Sequence, residues 1–398
     1  MMYQLPAGAR DLLPLDVAQK RWIEDRLRDV FKAWGYHRII TPTLERMETL
    51  TAGGAVKPES VIQVWDAEEG VYLGLRPELT ASIARAAVTR MSGVTYPQRL
   101  YYVANIFRRQ PVGNATGQHE FFQAGLELLG SPGLLANAEV LMLLGESLQQ
   151  LGLDRWHLVL GDARLTRSLL DSFPITQRQG VREAMATLNE IALKDLPLDS
   201  EQQARALAMM NLRGSPEQVL GELHQWPLDE TQAAIVHNLE ALIALVTNHA
   251  QVTLDLSLLQ TYDYYTGIVF DVVSENGQKV LAQGGRYDEL LSSYHPEGKT
   301  IPGIGFSMNI QEIHHILQTK AVLPTQIRKS HVLVVPETPA ATHWVFQQAA
   351  QLRSAQQRVE IELMARSPQD SLAYAKAREI GKIAWVNDQG SVKIETLE

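Results

Sequence analysis

The sequence predicts an α+β protein with a small α/β domain at its C-terminal end, and three observations predict it. Between Val61 and Leu128, β-prone runs are separated by Gly-, Pro- and Asn-rich turns, as hairpins are. Residues 165–249 read almost wholly as helix, rich in Ala, Leu, Gln and Glu, with breaks near Pro174, Pro197, Pro216 and Pro227. From His331 onward, short apolar strands alternate with helices, the pattern of a largely parallel sheet. The expected organisation is a core of residues 1–164 and 250–320, a helical insertion at 165–249, a linker at 321–330 and a C-terminal domain at 331–398. At roughly 150 residues per domain, a chain of 398 residues accommodates this division.

The elements follow in order. Asp16 caps a first helix with Pro14 just before it; Ile23, Leu27, Val30, Phe31 and Trp34 form its apolar stripe, and Gly35 ends it. Arg38–Thr41, stopped by Pro42, reads as a strand at a buried seam. Val61–Trp65 and Val71–Leu75 are strands about the acidic turn Asp66–Gly70, and Glu78–Met91 is a helix. Leu100–Phe107 and His119–Leu128 form a hairpin whose tip is Pro111–Gly117, followed by a helix at Leu135–Leu151. Beyond the insertion, strands are expected at Val252–Leu256, Gly267–Ser274 and Lys279–Ala282, then helices at Tyr287–Ser293 and Ser307–Thr319. The C-terminal domain has strands at His331–Val335, Val359–Leu363, Lys382–Val386 and Val392–Thr396, with helices at Ala340–Gln356 and Pro368–Ile380.

Composition excludes several classes. With 45% hydrophobic and 20% charged residues the chain is not disordered. The absence of cysteine excludes disulfides, thiolate metal sites and cysteine nucleophiles. A net charge of −9 argues against a sequence-independent grip on nucleic acid. Met1–Arg10 has no apolar signal region, and the most apolar stretch, Leu134–Leu148, carries Asn137, Glu139 and Glu146, so a cytoplasmic protein that does not span a membrane is expected. Phosphate-binding, dinucleotide-binding, nucleophile-elbow and zinc-protease motifs are absent. His314 and His315 point to different helix faces, so no metal site is expected.

Polar residues on β-elements remain. Glu78 and Thr80, in the run Arg76-Pro77-Glu78-Leu79-Thr80, sit at a strand-to-helix junction, either to cap the helix or to meet a ligand. Gln123 and Glu127 share one face of a strand, where burial demands partners: a small amine-bearing ligand or a salt bridge to Arg108. The run Tyr262 to Gly267, with Tyr264 and Tyr265, precedes an apolar strand. Gly284-Gly285-Arg286-Tyr287-Asp288 opens a helix, its glycines allowing close backbone approach.

Taken in order, these motifs resemble the class II histidyl-tRNA synthetase family. Pro6 to Asp11 resembles that family's opening segment, Leu15 to Pro42 its dimer motif, and Arg76 to Thr80 its R-P-E-x-T. Phe107-Arg108 with Phe122-Gln123 and Gly125-x-Glu127 resembles the second class II motif. Asp263 to Gly267 and Gly284 to Asp288 resemble the two histidine-pocket motifs, and Gly305-Phe306-Ser307-Met308 the start of the third class II motif. The resemblance runs over about Met2 to Leu317. It implies a class II synthetase-like antiparallel sheet core and a histidine pocket formed by Glu78, Thr80, Arg108, Gln123, Glu127, Tyr264, Tyr265 and Tyr287.

The departures concern positive charge. Where the third motif should carry an arginine for ATP stands Glu312, and no arginine lies between Arg286 and Arg328. Gln260 stands where the histidine pocket should begin with an arginine, and Gln110 where the second motif has a glutamate. Adenylation joins two anions, and losing one donor to the developing charge costs roughly 3–4 kcal/mol. A histidine pocket without synthetase chemistry resembles a paralogous group, the regulatory subunits of ATP phosphoribosyltransferase. That resemblance implies no catalytic residues and no cofactor. It implies a short-form catalytic subunit as partner at the first step of histidine biosynthesis, and histidine as feedback ligand. It also implies a homodimer through the class II dimer motif and a hetero-octamer with the partner. The alternative is a divergent active histidyl-tRNA synthetase. Residues 331–398, similar to a shortened anticodon-binding domain, hold seven basic and eight acidic residues, a net charge of −1 that does not favour tRNA.

Overall fold

The computed structural model describes Leu5 and residues 8–109, 117–247, 250–258 and 264–397. Gln110, Gln260, Asp263 and all but the last residue of the expected hairpin tip Pro111–Gly117 lie outside the described residues. The chain divides into two units, Met1–Leu323 and Pro324–Glu398.

In the first unit, helix α1 (Pro14–Ala33) leads through the short strands β1 (His37–Arg38) and β2 (Leu44–Arg46) and helix α2 (Met47–Thr51) to β3 (Ile62–Asp66) and β4 (Val71–Leu75). Helix α3 (Thr80–Thr89), the long hairpin β5 (Gln98–Phe107) and β6 (Glu120–Leu129), helix α4 (Leu134–Gln150) and β7 (Trp156–Asp162) follow. Next come helices α5 (Ala163–Leu170), α6 (Arg178–Ala186), α7 (Glu190–Lys194) and α8 (Ser200–Asn211), the two-residue strand β8 (Arg213–Gly214), and helices α9 (Pro216–Leu223) and α10 (Glu230–Val246). The unit closes with β9 (Gln251–Asp255), β10 (Ile268–Ser274), β11 (Val280–Arg286), β12 (Gly303–Asn309) and helix α11 (Ile310–Thr319).

Among the described residues, nine strands form one sheet in the order β1-β5-β6-β12-β11-β10-β7-β9-β8, with β2-β4-β3 a separate small sheet. The pairs β1/β5 and β7/β9 are parallel and the others in the large sheet antiparallel. Alternation along the strands separates two cores. Leu126, Leu128, Ile304, Phe306 and Phe270 face α1, α4 and α11, and Leu165, Met185, Met209 and Leu239 of the intervening helices join that same core. On the opposite face, Leu100, Tyr102, Leu129 and Val269 pack with Ile83 of α3 and with Tyr264, Tyr265 and Tyr287.

Four expectations are corrected. Asp16 is not the cap residue of α1; it sits three residues after Leu13 and accepts that residue's N–H at 3.0 Å. The expected strand Arg38–Thr41 shrinks to His37–Arg38, and Ile40 is 78% exposed. The carbonyls of Thr41 and Pro42 go to the Arg76 guanidinium at 2.7 and 3.0 Å instead of a ladder. Gly284 to Arg286 end a strand rather than open a helix, and only a 3₁₀ turn, Leu290–Ser293, follows. Ser307–Asn309 belongs to β12, and its helix starts at Ile310. Gly303 and Gly305 hide this strand, because the first half of one of its faces carries no side chain.

The second unit contains β13 (Val332–Pro336), α12 (Thr342–Ser354), β14 (Val359–Ile361), α13 (Pro368–Ala377), β15 (Lys382–Val386) and β16 (Val392–Thr396). The order is β14-β13-β15-β16, with the first three strands parallel and β16 antiparallel. Val345 and Ala349 of α12 cover one face and Ala375 of α13 the other.

Leu126 is fully buried on β6, an interior strand of the large sheet. Leu126→Ala is expected to lower the unfolding free energy by about 2–5 kcal/mol in urea denaturation. A loss well under 1 kcal/mol would mean that this face of β6 is not core.

Candidate functional site

Pleating of β6 puts Gln123 and Glu127 on one face, and pairing with β5 and β12 closes the strand on both sides. Glu78, just before α3, turns back onto the helix start: its carboxylate accepts the N–H groups of Thr80 at 2.5 Å and Ala81 at 2.9 Å. The capping role anticipated for Glu78 is therefore present, and the same carboxylate lines a cavity. The Thr80 hydroxyl donates to Glu127 Oε1 at 2.7 Å, and the Tyr287 hydroxyl donates to Glu127 Oε2. Thus α3, β6 and the end of β11 meet on one carboxyl group.

The room for that group comes from β12. Gly305 lies opposite Glu127 in the ladder, and a Cβ there would stand 1.9 Å from Glu127 Oε2. A Cβ on Gly303 would stand 2.3 Å from the Tyr287 ring. Tyr264 packs edge-on to Tyr287, with centroids 5.8 Å apart, and tilts against Tyr265 at 4.8 Å. The Arg167 guanidinium donates to the Tyr265 carbonyl at 3.2 Å.

Seven of the eight expected residues line this cavity: Glu78, Thr80, Gln123, Glu127, Tyr264, Tyr265 and Tyr287. Arg108 does not. Its Nε donates to the Pro77 carbonyl at 3.0 Å, beside Glu78. Tyr102, Gln283 and Ser307 also line the cavity and were not expected. Period-2 counting along their strands from Leu100, Gly285 and Gly305 would have found them. Gln123 Oε1 is buried and has no hydrogen-bond partner among the described residues. The remaining space is about 20 Å³, enough for a water molecule, so an amino-acid occupant must displace the side chains that close it.

The electrostatics follow from this enclosure. Burial pushes Glu78 above the ordinary carboxyl range, and the Ala81 amide, Thr80 and the Arg108 charge pull it back. Burial pushes Glu127 up to about 8, against the opposing hydrogen bonds from Tyr287 and Thr80, and neighbouring Glu78 adds to the rise. Burial and then Glu127 push Tyr287 well above the ordinary phenol value. Glu312 lies in the first turn of α11, paired with Lys279 Nζ at 3.0 Å. Among the described residues, no three His, Cys, Asp or Glu side chains are placed to hold a metal, and no helix is long and apolar enough to cross a membrane.

A family model described as histidyl-tRNA synthetase matches residues 8–313. The fold is similar to that of a histidyl-tRNA synthetase from Nostoc sp., with a TM-score of 0.77 at 20% identity, covering 100% of this chain and 97% of that one. The chain belongs to the histidyl-tRNA synthetase family. Along its full length it is similar to proteins named ATP phosphoribosyltransferase regulatory subunit: it is 54% identical to the one from Cyanothece sp. and 53% identical to the one from Picosynechococcus sp., with 100% of both chains covered in each case. A solved ATP phosphoribosyltransferase regulatory subunit/histidyl-tRNA synthetase from Bacillus halodurans is similar at 25% identity and a TM-score of 0.81, covering 97% of this chain and 99% of that one.

The raised Glu127 pKa makes stability depend on pH. Its folded-state value lies above the ordinary 4.5, so its contribution is fully present below about pH 4.5 and is lost as pH rises through about 8. Glu127→Gln removes this loss while Glu78 stays in place. Between about pH 6 and about pH 9, the unfolding free energy of the unmodified protein is expected to fall by a few kcal/mol more than that of the variant. Parallel pH profiles would contradict the burial of an uncharged carboxyl here.

Proposed function

We propose that this chain is a non-catalytic regulatory subunit of ATP phosphoribosyltransferase, required by a short-form catalytic subunit and carrying histidine feedback at the first step of L-histidine biosynthesis. The observation that carries this reading is the 54% identity to a curated regulatory subunit along the entire chain. The site supports it chemically. Histidine needs an anion and acceptors for its ammonium, and an acid or phenol for its ring. Glu78, Thr80 and Gln123 serve the ammonium, Glu127 and Tyr265 serve the ring, Tyr264 and Tyr287 wall the pocket, and Arg108, which stands outside the present lining, turns toward the ligand carboxylate when the pocket opens. At Glu312 an acid occupies the position where the synthetase motif calls for an arginine on ATP, and Lys279 neutralises it. A triphosphate would meet no cation from that position.

In this reading the protein dimerises through α1 and the strand after it, and four copies join four catalytic subunits in a hetero-octamer. Neither tRNA nor a cofactor takes part. Histidine acts by binding one arrangement of the complex more tightly than another, and the affinity difference sets the extent of inhibition.

Co-purification with a short-form catalytic subunit, followed by assay of phosphoribosyl transfer, tests this. The mixture is expected to be active where the catalytic subunit alone is not, and histidine is expected to suppress it. Glu127→Ala is expected to raise the histidine concentration for half-inhibition by about tenfold or more, measured against the uninhibited activity of the same complex. Unchanged inhibition would move histidine sensing away from this pocket.

A further inference from the structure

Glu78 and Glu127 meet at one residue, Thr80, whose backbone N–H goes to the first and whose hydroxyl goes to the second. Among the described residues lining their cavity, none is cationic. Two adjacent carboxylates in such a place do not both stay ionised, and one holds a proton. The contacts decide which. Glu78 accepts two backbone N–H groups at a helix start, which favours an anion. Glu127 meets only hydroxyls, from Thr80 and Tyr287, and a hydroxyl can accept as well as donate. The other groups lining the cavity near Glu127 are neutral: Tyr102 of β5, Gln283 of β11, Tyr264 and Tyr265. Arg108 stands outside the lining, and across the sheet Tyr36 is bonded to Glu139, which Arg99 neutralises.

The lining also offers two unlike kinds of group. Glu78, with the Arg108 side chain beside it outside the lining, and Gln123 Oε1, which has no partner among the described residues, suit an ammonium and its carboxylate. Glu127 is 2% exposed, held between Tyr287 and Gly305, and suits a side-chain tip. Resting on the reading of this cavity as a histidine pocket, we propose that Glu127 waits as a carboxylic acid and hands its proton to the imidazole of the incoming ligand. The ligand enters with a neutral ring and is held as an imidazolium–carboxylate pair. One O–H bond on Glu127 breaks and one N–H bond forms on the ring, with no other reactant. The upward shift of Glu127 on burial agrees with its waiting as an acid, and the attraction between imidazolium and carboxylate drives the transfer against that shift. The pocket then selects for basicity as well as shape, because a ring that cannot take the proton leaves an unmatched acid.

The test is nitrogen NMR of the whole protein with ¹⁵N-labelled histidine at about pH 7.5, where the free ring, with a pKa of about 6.5, is mostly neutral. Both ring nitrogens of bound histidine are expected at imidazolium shifts, and Glu127→Gln is expected to return the bound ring to the neutral form. A triazole analogue of histidine, far less basic, is expected to bind the unmodified protein about tenfold or more weakly than histidine does, with that gap narrowed in the variant. A neutral ring bound to the unmodified protein would overturn the proton transfer while leaving the pocket occupied by histidine. Absence of any saturable histidine signal would overturn the pocket reading, and the inference with it. The arm with unmodified protein decides the matter even if the variant does not fold.

Discussion

The contact of Glu127 with the hydroxyls of Thr80 and Tyr287 joins three distant parts of the chain: the middle of β6, the first turn of α3 and the end of β11. It forms only because Gly305 offers no Cβ to the space the carboxyl occupies, and Gly303 none to the Tyr287 ring. Enclosure by the tyrosines then removes water, and removal of water is what makes the charge of Glu127 costly. The geometry of the contact and the upward shift of Glu127 thus share one cause.

The large sheet serves this contact. Its apolar face, built from Leu126, Leu128, Ile304 and Phe306, is anchored by α1, α4 and α11, so the opposite face can carry polar side chains without losing the fold. Arg76 adds to the frame, spending its donors on the carbonyls of Thr41, Pro42 and Asn105, which tie the chain before β2 to the end of β5. In the proposed reading such a fold keeps recognition of an amino acid while losing the handling of a triphosphate, because the two rest on different residues: Glu78, Gln123 and Glu127 preserve the first, and Glu312, paired with Lys279, marks the loss of the second.

Much of this was legible in the sequence because its signals are local. Alternation in β6 put Gln123 and Glu127 on one face, and the Arg76 to Thr80 run announced a helix start that faces them. The C-terminal strands and helices were readable from their apolar runs and breaks. What escaped was set by neighbours. Gly303 and Gly305 fell outside every expected element, yet they are strand residues whose missing side chains are filled by Tyr287 and Glu127 from other elements. Tyr102 shares its face with Leu100, but Gln283 lay just past the end of an expected strand and Ser307 in an expected helix, so alternation was not counted through them. Ile40 read as buried because it is apolar, but the carbonyls just after it are claimed by Arg76, and the strand stops short.

Calorimetric titration of the purified chain with histidine and, separately, with ATP tests the separation of the two recognitions most directly. The account predicts saturable binding of histidine, no saturable binding of ATP, and no histidine-dependent exchange of pyrophosphate into ATP. Tight ATP binding accompanied by that exchange would contradict it.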